Sequence, residues 1–207
     1  MPGHPGRLIA RFPTTPANYG VTVFPTQPGR PAARGHLSAP SLDVHSSFLQ
    51  ALSEYHREGL HLDLAAEELA DPGMFLAWAR NLRRAGTSGE ATCERDRVPH
   101  RVLWWTHEDH YIGRVRINLA LNDGLRDFGG HIGYDIRPSA RGKGHATALL
   151  AEALPLANRL GIDPALLTCA PSNAASRKVI ERNGGNFCDV SPSGRLRFWC
   201  PTGLVSS

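Results

Sequence analysis

Apolar and polar positions along the chain change their period at regular intervals, and each change marks an element. After Ser41, a residue type suited to capping a helix, Val44, Phe48, Leu52 and Tyr55 recur at helical spacing until Gly59 supplies a stop. Asp71 followed by Pro72 repeats the start signal, and Phe75, Trp78, Ala79 and Leu82 form the apolar stripe of a second helix. His36 to Ala39 reads as a short first strand. Arg101 to Thr106 and Tyr111 to Leu121 read as two strands around His107-Glu108-Asp109-His110, a turn sequence suited to a hairpin.

The stretch from Gly130 to Gly185 alternates most clearly. A strand ending at Ile136-Arg137-Pro138 leads into the basic loop Arg141-Gly142-Lys143-Gly144-His145-Ala146, and a helix follows over Thr147 to Leu160. Leu149, Leu150, Ala153, Leu154 and Ala157 share one face of that helix, and Pro155 predicts a bend in it. A short strand over Leu166 to Ala170 and a helix opened by Asn173 and stopped by Gly184-Gly185 complete a βαβα unit. Asn186 to Val190 and Arg195 to Trp199 make a closing hairpin. Asn122 to Gly130 reads as a connection with solvated charges, and Gly129-Gly130 as a place of close backbone approach or a sharp bend.

Length changes the picture only by fixing one domain: 207 residues build one sizeable core more readily than two. Residues 1–34 concentrate proline and glycine without periodicity and read as an extension, 35–200 as the domain and 201–207 as a polar tail. Gly86 to His100 is polar and aperiodic, a loop suited to closing over a substrate. The net charge of +4 comes from scattered basic residues, which implies no nucleic-acid partner. Cys93, Cys169, Cys188 and Cys200 lack CxxC spacing and no long apolar run is present, so we expect reduced thiols, a cytoplasmic location and no membrane partner.

The loop carries the chemistry. Unpaired N–H groups and the dipole at a helix N-terminus favour an anion, Gly142, Gly144 and Ala146 admit it to the backbone, and Arg141 and Lys143 add charge. A phosphate or pyrophosphate suits such a site. Neither GxxxxGK[ST] nor GxGxxG is met, so a P-loop and a dinucleotide fingerprint are set aside. The order strand, Arg-x-x-Gly-x-Ala, helix, strand, Asn-x-x-Ser resembles the GNAT superfamily of N-acetyltransferases over Pro40 to Trp199. HIGYDIRPSARGKGHAT and SNAASRKVIERNGG resemble its branch of ribosomal-protein and antibiotic acetyltransferases.

The resemblance implies an α/β (α+β) GNAT fold, with a mixed central sheet splayed at the acetyl-CoA site and helices on both faces. It implies acetyl-CoA as co-substrate. The pantetheine arm would run along Ile136 and Arg137, the pyrophosphate would sit on Arg141, Gly142, Lys143, Gly144, His145, Ala146 and Thr147, and Asn173 and Ser176 would meet the arm. Asn173 serves equally well as a helix cap. A homodimer is left open.

For catalysis the family often uses a tyrosine acid at the position of Ile180, so that group is missing here. Ser176 is the nearest substitute for protonating the leaving thiolate, against its ordinary role of bonding the preceding helical turn. His131 stands where relatives often carry Glu and is the candidate base, with Asp135 and a water chain as rivals. Glu54, Glu58, Asp63, Glu67, Glu68, Glu108 and Asp109 are available to a cationic acceptor. His107, Asp109 and His110 read as a solvated turn, and no metal is expected. The acceptor is a primary amine of a small molecule, an aminoglycoside-type antibiotic among the candidates, or the amino group of a protein or peptide. A non-catalytic acyl-CoA sensor is the alternative that the missing tyrosine suggests.

Overall fold

A computed structural model of the chain describes residues 35–84 and 98–203. Residues 86–97 of the expected loop, the whole of the extension 1–34 and residues 204–207 of the tail lie outside the described residues, while His100 of that loop already belongs to a strand. Strand β1 (His36–Ser38) leads through a single 3-10 turn at Leu42–Val44, capped by Ser41, into helix α1 (His45–Arg57). The short α2 (Ala66–Leu69) and α3 (Pro72–Arg84) follow, and Asp71 Oδ1 accepts from the Met74 N–H at the start of α3. All four apolar residues expected on each of the two long helices are buried.

These helices cover one face of the hairpin formed by β2 (His100–His107) and β3 (His110–Asn118). Phe48, Phe75, Trp78, Trp104 and Tyr111 pack there as one aromatic cluster, with Phe48 and Trp104 stacked at 5.5 Å between ring centroids. Strand alternation then divides two adjacent tryptophans: Trp104 joins this cluster, whereas Trp105 joins the core on the opposite face.

The second core lies under α5 (His145–Arg159), whose Leu149, Leu150, Ala153 and Ala157 are fully buried. Each such leucine contributes roughly 1.5–3 kcal/mol of transfer free energy relative to exposure. The helix runs through Pro155, which supplies no N–H to the preceding turn. It begins two residues earlier than its apolar pattern indicates, because the preceding Gly144, at φ +86°, turns the chain directly into it.

Strand order β1-β2-β3-β4, with β4 spanning Ile132–Ile136, makes a four-stranded antiparallel sheet. A second sheet has the order β5-β7-β6, formed by β5 (Ala165–Cys169), β6 (Asn186–Val190) and β7 (Leu196–Cys200). The expected central sheet is thus two sheets whose ladders are antiparallel, joined at an isolated bridge between Gly130 and Leu167. Gly130, at φ +71°, is required at this join, since a Cβ there would overlap the Leu166 carbonyl. Helix α6 (Ala174–Arg182) follows β5 and packs beside α5.

One segment departs from its expected form. Asp123–Asp127 is a short helix, α4, capped by Asn122 through its Leu125 N–H, and Leu125 is wholly buried. A single apolar residue among charges carries no periodicity, so this turn left no pattern to read. Among the described residues no helix is long and apolar enough to cross a membrane.

Candidate active site

The site is built where β4 ends. Arg137 N–H donates to the Ile112 carbonyl, extending β4 along β3, and Pro138 then opens a 3-10 turn over Pro138–Ala140. Two left-handed glycines, Gly142 at φ +75° and Gly144 at φ +86°, fold the loop back onto the start of α5. Among the described residues no side chain caps that helix, so the amides of His145, Ala146 and Thr147 open a fifteen-residue dipole toward the loop. Gly142 is exposed, and a Cβ built on it meets nothing within 4 Å. Open space above a turn of backbone amides fits a phosphate group.

The basic side chains of the loop are held by the protein. Arg141 donates to both carboxylate oxygens of Glu58 and, through Nε, to the Ile136 carbonyl at 3.0 Å. Lys143 Nζ donates to the Ser139 carbonyl at 2.7 Å. Arg137 is buried and its side chain turns away from the loop to Glu54, Ser47 and the Tyr111 carbonyl, which leaves only its backbone to the arm expected along this strand end. Glu54 also accepts from Ser139 N–H and Oγ–H at 3.0 and 2.9 Å. Burial alone would raise the Glu54 pKa, but the bonds from Arg137 and Ser139 outweigh it and hold the carboxyl below its ordinary value. Glu54 and Glu58 therefore fasten α1 to the loop, and the expectation that they serve a cationic acceptor is corrected. A shallow groove along α1, lined by Leu49, Gln50, Ser53, Glu54, Arg57 and Arg137, adjoins this tie.

His145 is also corrected. Its position as the first residue of α5 directs the ring inward, where it is buried and Nδ1 accepts from the Trp105 indole N–H at 3.2 Å. Burial, then Lys143 and His107, lower its pKa, and only its backbone amide faces the loop.

His131 lies at the join of the two sheets. Its N–H donates to the Leu166 carbonyl at 2.7 Å, and its ring Nδ1 accepts from the Leu166 N–H at 2.9 Å. The ring stands in for the backbone carbonyl that would complete a ladder rung. Burial, with Arg126 adding to it, pushes the pKa down to about 4, so the ring is neutral at pH 7 with its proton on Nε2. Its accepting lone pair is taken, and the ring does not provide the base expected at this position. Asp135 is engaged as well. It accepts from Tyr55 Oη–H at 2.7 Å and Arg114 Nε–H at 2.8 Å, and His61 lies at 3.5 Å. Burial would raise its pKa, but Arg114, His61 and Tyr55 hold it well below the carboxylate range.

Asn173 caps α6, its Oδ1 accepting from the Ser176 N–H at 2.9 Å. Ser176 Oγ does not turn to the preceding helical turn. It lies 3.1 Å from the hydroxyl of Tyr134 on β4. Ile180, one turn further, is buried and apolar. Tyr134, Arg114 and His61 were not singled out by the sequence and Tyr55 was read only as an apolar position of the first helix, while the alternation of β4 signals that residues 134 and 135 face opposite sides.

An open strand end, a glycine loop and an uncapped helix between two parting sheets define an α/β protein built to hold a phosphate-bearing cofactor. Residues 48–186 match the acetyltransferase (GNAT) domain family, and the chain belongs to that family. It is an acyltransferase with acetyl-CoA as donor. No curated protein sequence matches it. Among solved structures it is similar to RimJ of Mycobacterium smegmatis in complex with CoA-disulfide, at 17% identity and TM-score 0.56, covering 83% of each chain. A putative ribosomal-protein-serine acetyltransferase from Vibrio cholerae matches at 16% identity and TM-score 0.55, over 81% of this chain and 94% of that one. The aminoglycoside acetyltransferase AAC(6')-Ib, in complex with coenzyme A and kanamycin, matches at 14% and 0.54, over 81% and 95%. At these identities the structural likeness speaks for the fold.

Proposed function

We propose that the chain transfers the acetyl group of acetyl-CoA to a primary amine of a small molecule, with aminoglycoside-type amines first among the candidates. The observation that carries the donor half is the uncapped start of α5 behind Gly142 and Gly144. Bound there, acetyl-CoA supplies an activated thioester. The amides of His145, Ala146 and Thr147 hold its phosphates, and Asn173 offers its side-chain amide to the arm. Ser176 is the hydroxyl placed to serve the leaving thiolate. With His131 and Asp135 both engaged in internal bonds, the acceptor arrives neutral or loses its proton to water.

The test has two stages. Acetyl-CoA should raise the melting temperature by linkage while NAD and ATP do so far less, and Gly144→Asp should abolish the rise, because a side chain at φ +86° is strained and its charge repels phosphate. Equal stabilisation by ATP would defeat the donor assignment. Free thiol release is then followed with a panel of aminoglycosides, simple amines and peptides bearing free amino termini. Turnover with peptides alone would transfer the reading to protein acetylation, and no turnover with intact binding would favour an acyl-CoA sensor.

A further inference from the structure

The contact between Tyr134 and Ser176 joins two parts of the fold that are otherwise separating. Tyr134 lies on β4, in the first sheet, and Ser176 lies in the first turn of α6, which follows β5 of the second sheet. The sheets meet at Gly130 and His131 and share no ladder beyond that point. Tyr134 therefore reaches from one sheet across to the helix that follows the other. Its ring packs on the larger apolar cluster, and its hydroxyl meets Ser176 Oγ at 3.1 Å and the Ser176 carbonyl at 3.5 Å.

Burial pushes the Tyr134 phenol pKa up, more than the bond to Ser176 lowers it, so the phenol keeps its proton and, at 3.1 Å from Ser176 Oγ, is able to donate to it, while the Ser176 hydroxyl is equally able to donate in return. A serine in a helix ordinarily donates to the carbonyl of the preceding turn. Here Asn173 Oδ1 fixes the Ser176 N–H and Tyr134 fixes Oγ, so the residue is held at backbone and side chain together. When Tyr134 donates to Oγ, the serine's own proton is directed away from the phenol and is available to a third group. Ile180, one turn further along α6, is buried and supplies no hydroxyl.

We propose that Tyr134 is a positioning residue for acetyl transfer, its hydroxyl donating to Ser176 Oγ so that the Ser176 proton points at the sulfur of the coenzyme. The inference rests on the acetyl-CoA reading of the site. Neither hydroxyl oxygen forms a new covalent bond. The thioester C–S bond breaks, the C–N bond forms, and the proton that the sulfur finally takes balances the one the acceptor nitrogen gives up. Ser176 stabilises the negative sulfur while that exchange is completed, and Tyr134 keeps Ser176 in the donating orientation.

The test reads the thiol itself and needs no acceptor. CoA labelled with carbon-13 beside its sulfur is bound to wild type, Tyr134→Phe, Ser176→Ala and the double variant, and the bound thiol is titrated by NMR. Tyr134→Phe keeps the ring and removes one oxygen, so melting temperature and CoA Kd should stay near wild type, the latter within about 2-fold. The thiol pKa should rise by about 0.5 to 1 pH unit in Tyr134→Phe, at least as far in Ser176→Ala, and no further in the double variant. Once an acceptor is known, Tyr134→Phe should lower kcat by about 3- to 10-fold at unchanged KM for acetyl-CoA. A wild-type titration curve for Tyr134→Phe with intact CoA binding would overturn this inference alone, and so would a Tyr134→Phe shift that persists in full without Ser176. Failure of wild type to bind CoA would overturn the cofactor reading, and the inference with it.

Discussion

At the scale of single residues, Asp135 shows why a carboxylate in the right strand is not a base. Three elements converge on it: Tyr55 from α1, His61 from the segment after α1 and Arg114 from β3. His61 is itself buried at φ +54°, a backbone conformation that a non-glycine residue keeps only where its surroundings fix it, and Arg114 Nη2 lies 3.0 Å from its Nδ1. The folded-state pKa of Asp135 is depressed, so its contribution to stability is fully present above the unfolded value of about 3.9 and is lost as pH falls through the folded one. Asp135→Asn removes the carboxylate that pairs with the buried Arg114 and should cost about 3 kcal/mol at pH 7. The gap to wild type should narrow as pH drops from about 5 toward 2, because only wild type has this carboxylate to protonate. Denaturant melts at pH 7 and pH 3 measure both, and a constant gap would show that the aspartate's charge is not what holds these elements. Sequence alternation places Asp135 on its face of β4 but is silent about what stands opposite, which is why it read as a rival base.

Among the elements, α6 shows how far local signals carry. Asn173 as cap, the start of the helix beyond it and its stop at Gly184 are all readable, because cap chemistry is local and Gly184 adopts φ +80°. The destination of the Ser176 hydroxyl is not local, since Tyr134 lies forty-two residues away in sequence. For the same reason the ring of His145, next to two well-read glycines, gave no sign that it would find Trp105. Asn173 holds two readable roles, and substitution separates them. Asn173→Ala should destabilise by about 1 kcal/mol and lower the melting temperature by about 2–4 °C. Asn173→Asp keeps the accepting oxygen and loses the amide donor, so it should restore stability. If the amide also donates to the coenzyme arm, Asn173→Asp should still bind acetyl-CoA about 10-fold more weakly, a loss of about 1.4 kcal/mol. Calorimetric titration beside thermal melts decides it, and full recovery of affinity by aspartate would leave Asn173 a cap alone.

Across the whole molecule, two apolar clusters face each other through the strands, one under α1 and α3 and one under α5 and α6. Period and caps made the order of the strands and longer helices legible, from the short first strand to the closing hairpin, but not the short α2 and α4. The resemblance implied the splay of the sheet, whereas the entry of β7 between β5 and β6 and the joining rung made by a histidine ring were not legible, because both are set by contacts far apart in sequence. Residues 1–34 bear on the same question of what belongs to the core. Their proline and glycine content and lack of periodicity give them little apolar surface to bury against the entropy of ordering. The clusters themselves draw on Leu37, Val44 and residues beyond, and Ser38 and Leu37 already pair with Trp104 and Trp105 in the first sheet. A chain beginning at Gly35 retains every one of those contacts. It should unfold in a single cooperative transition and bind acetyl-CoA with a Kd within about 2-fold of the full chain. Chemical denaturation followed by two optical probes, with a parallel binding titration, measures both. Non-coincident transitions, or a loss of affinity in a chain that still folds, would assign part of that segment to the core or to the cofactor site.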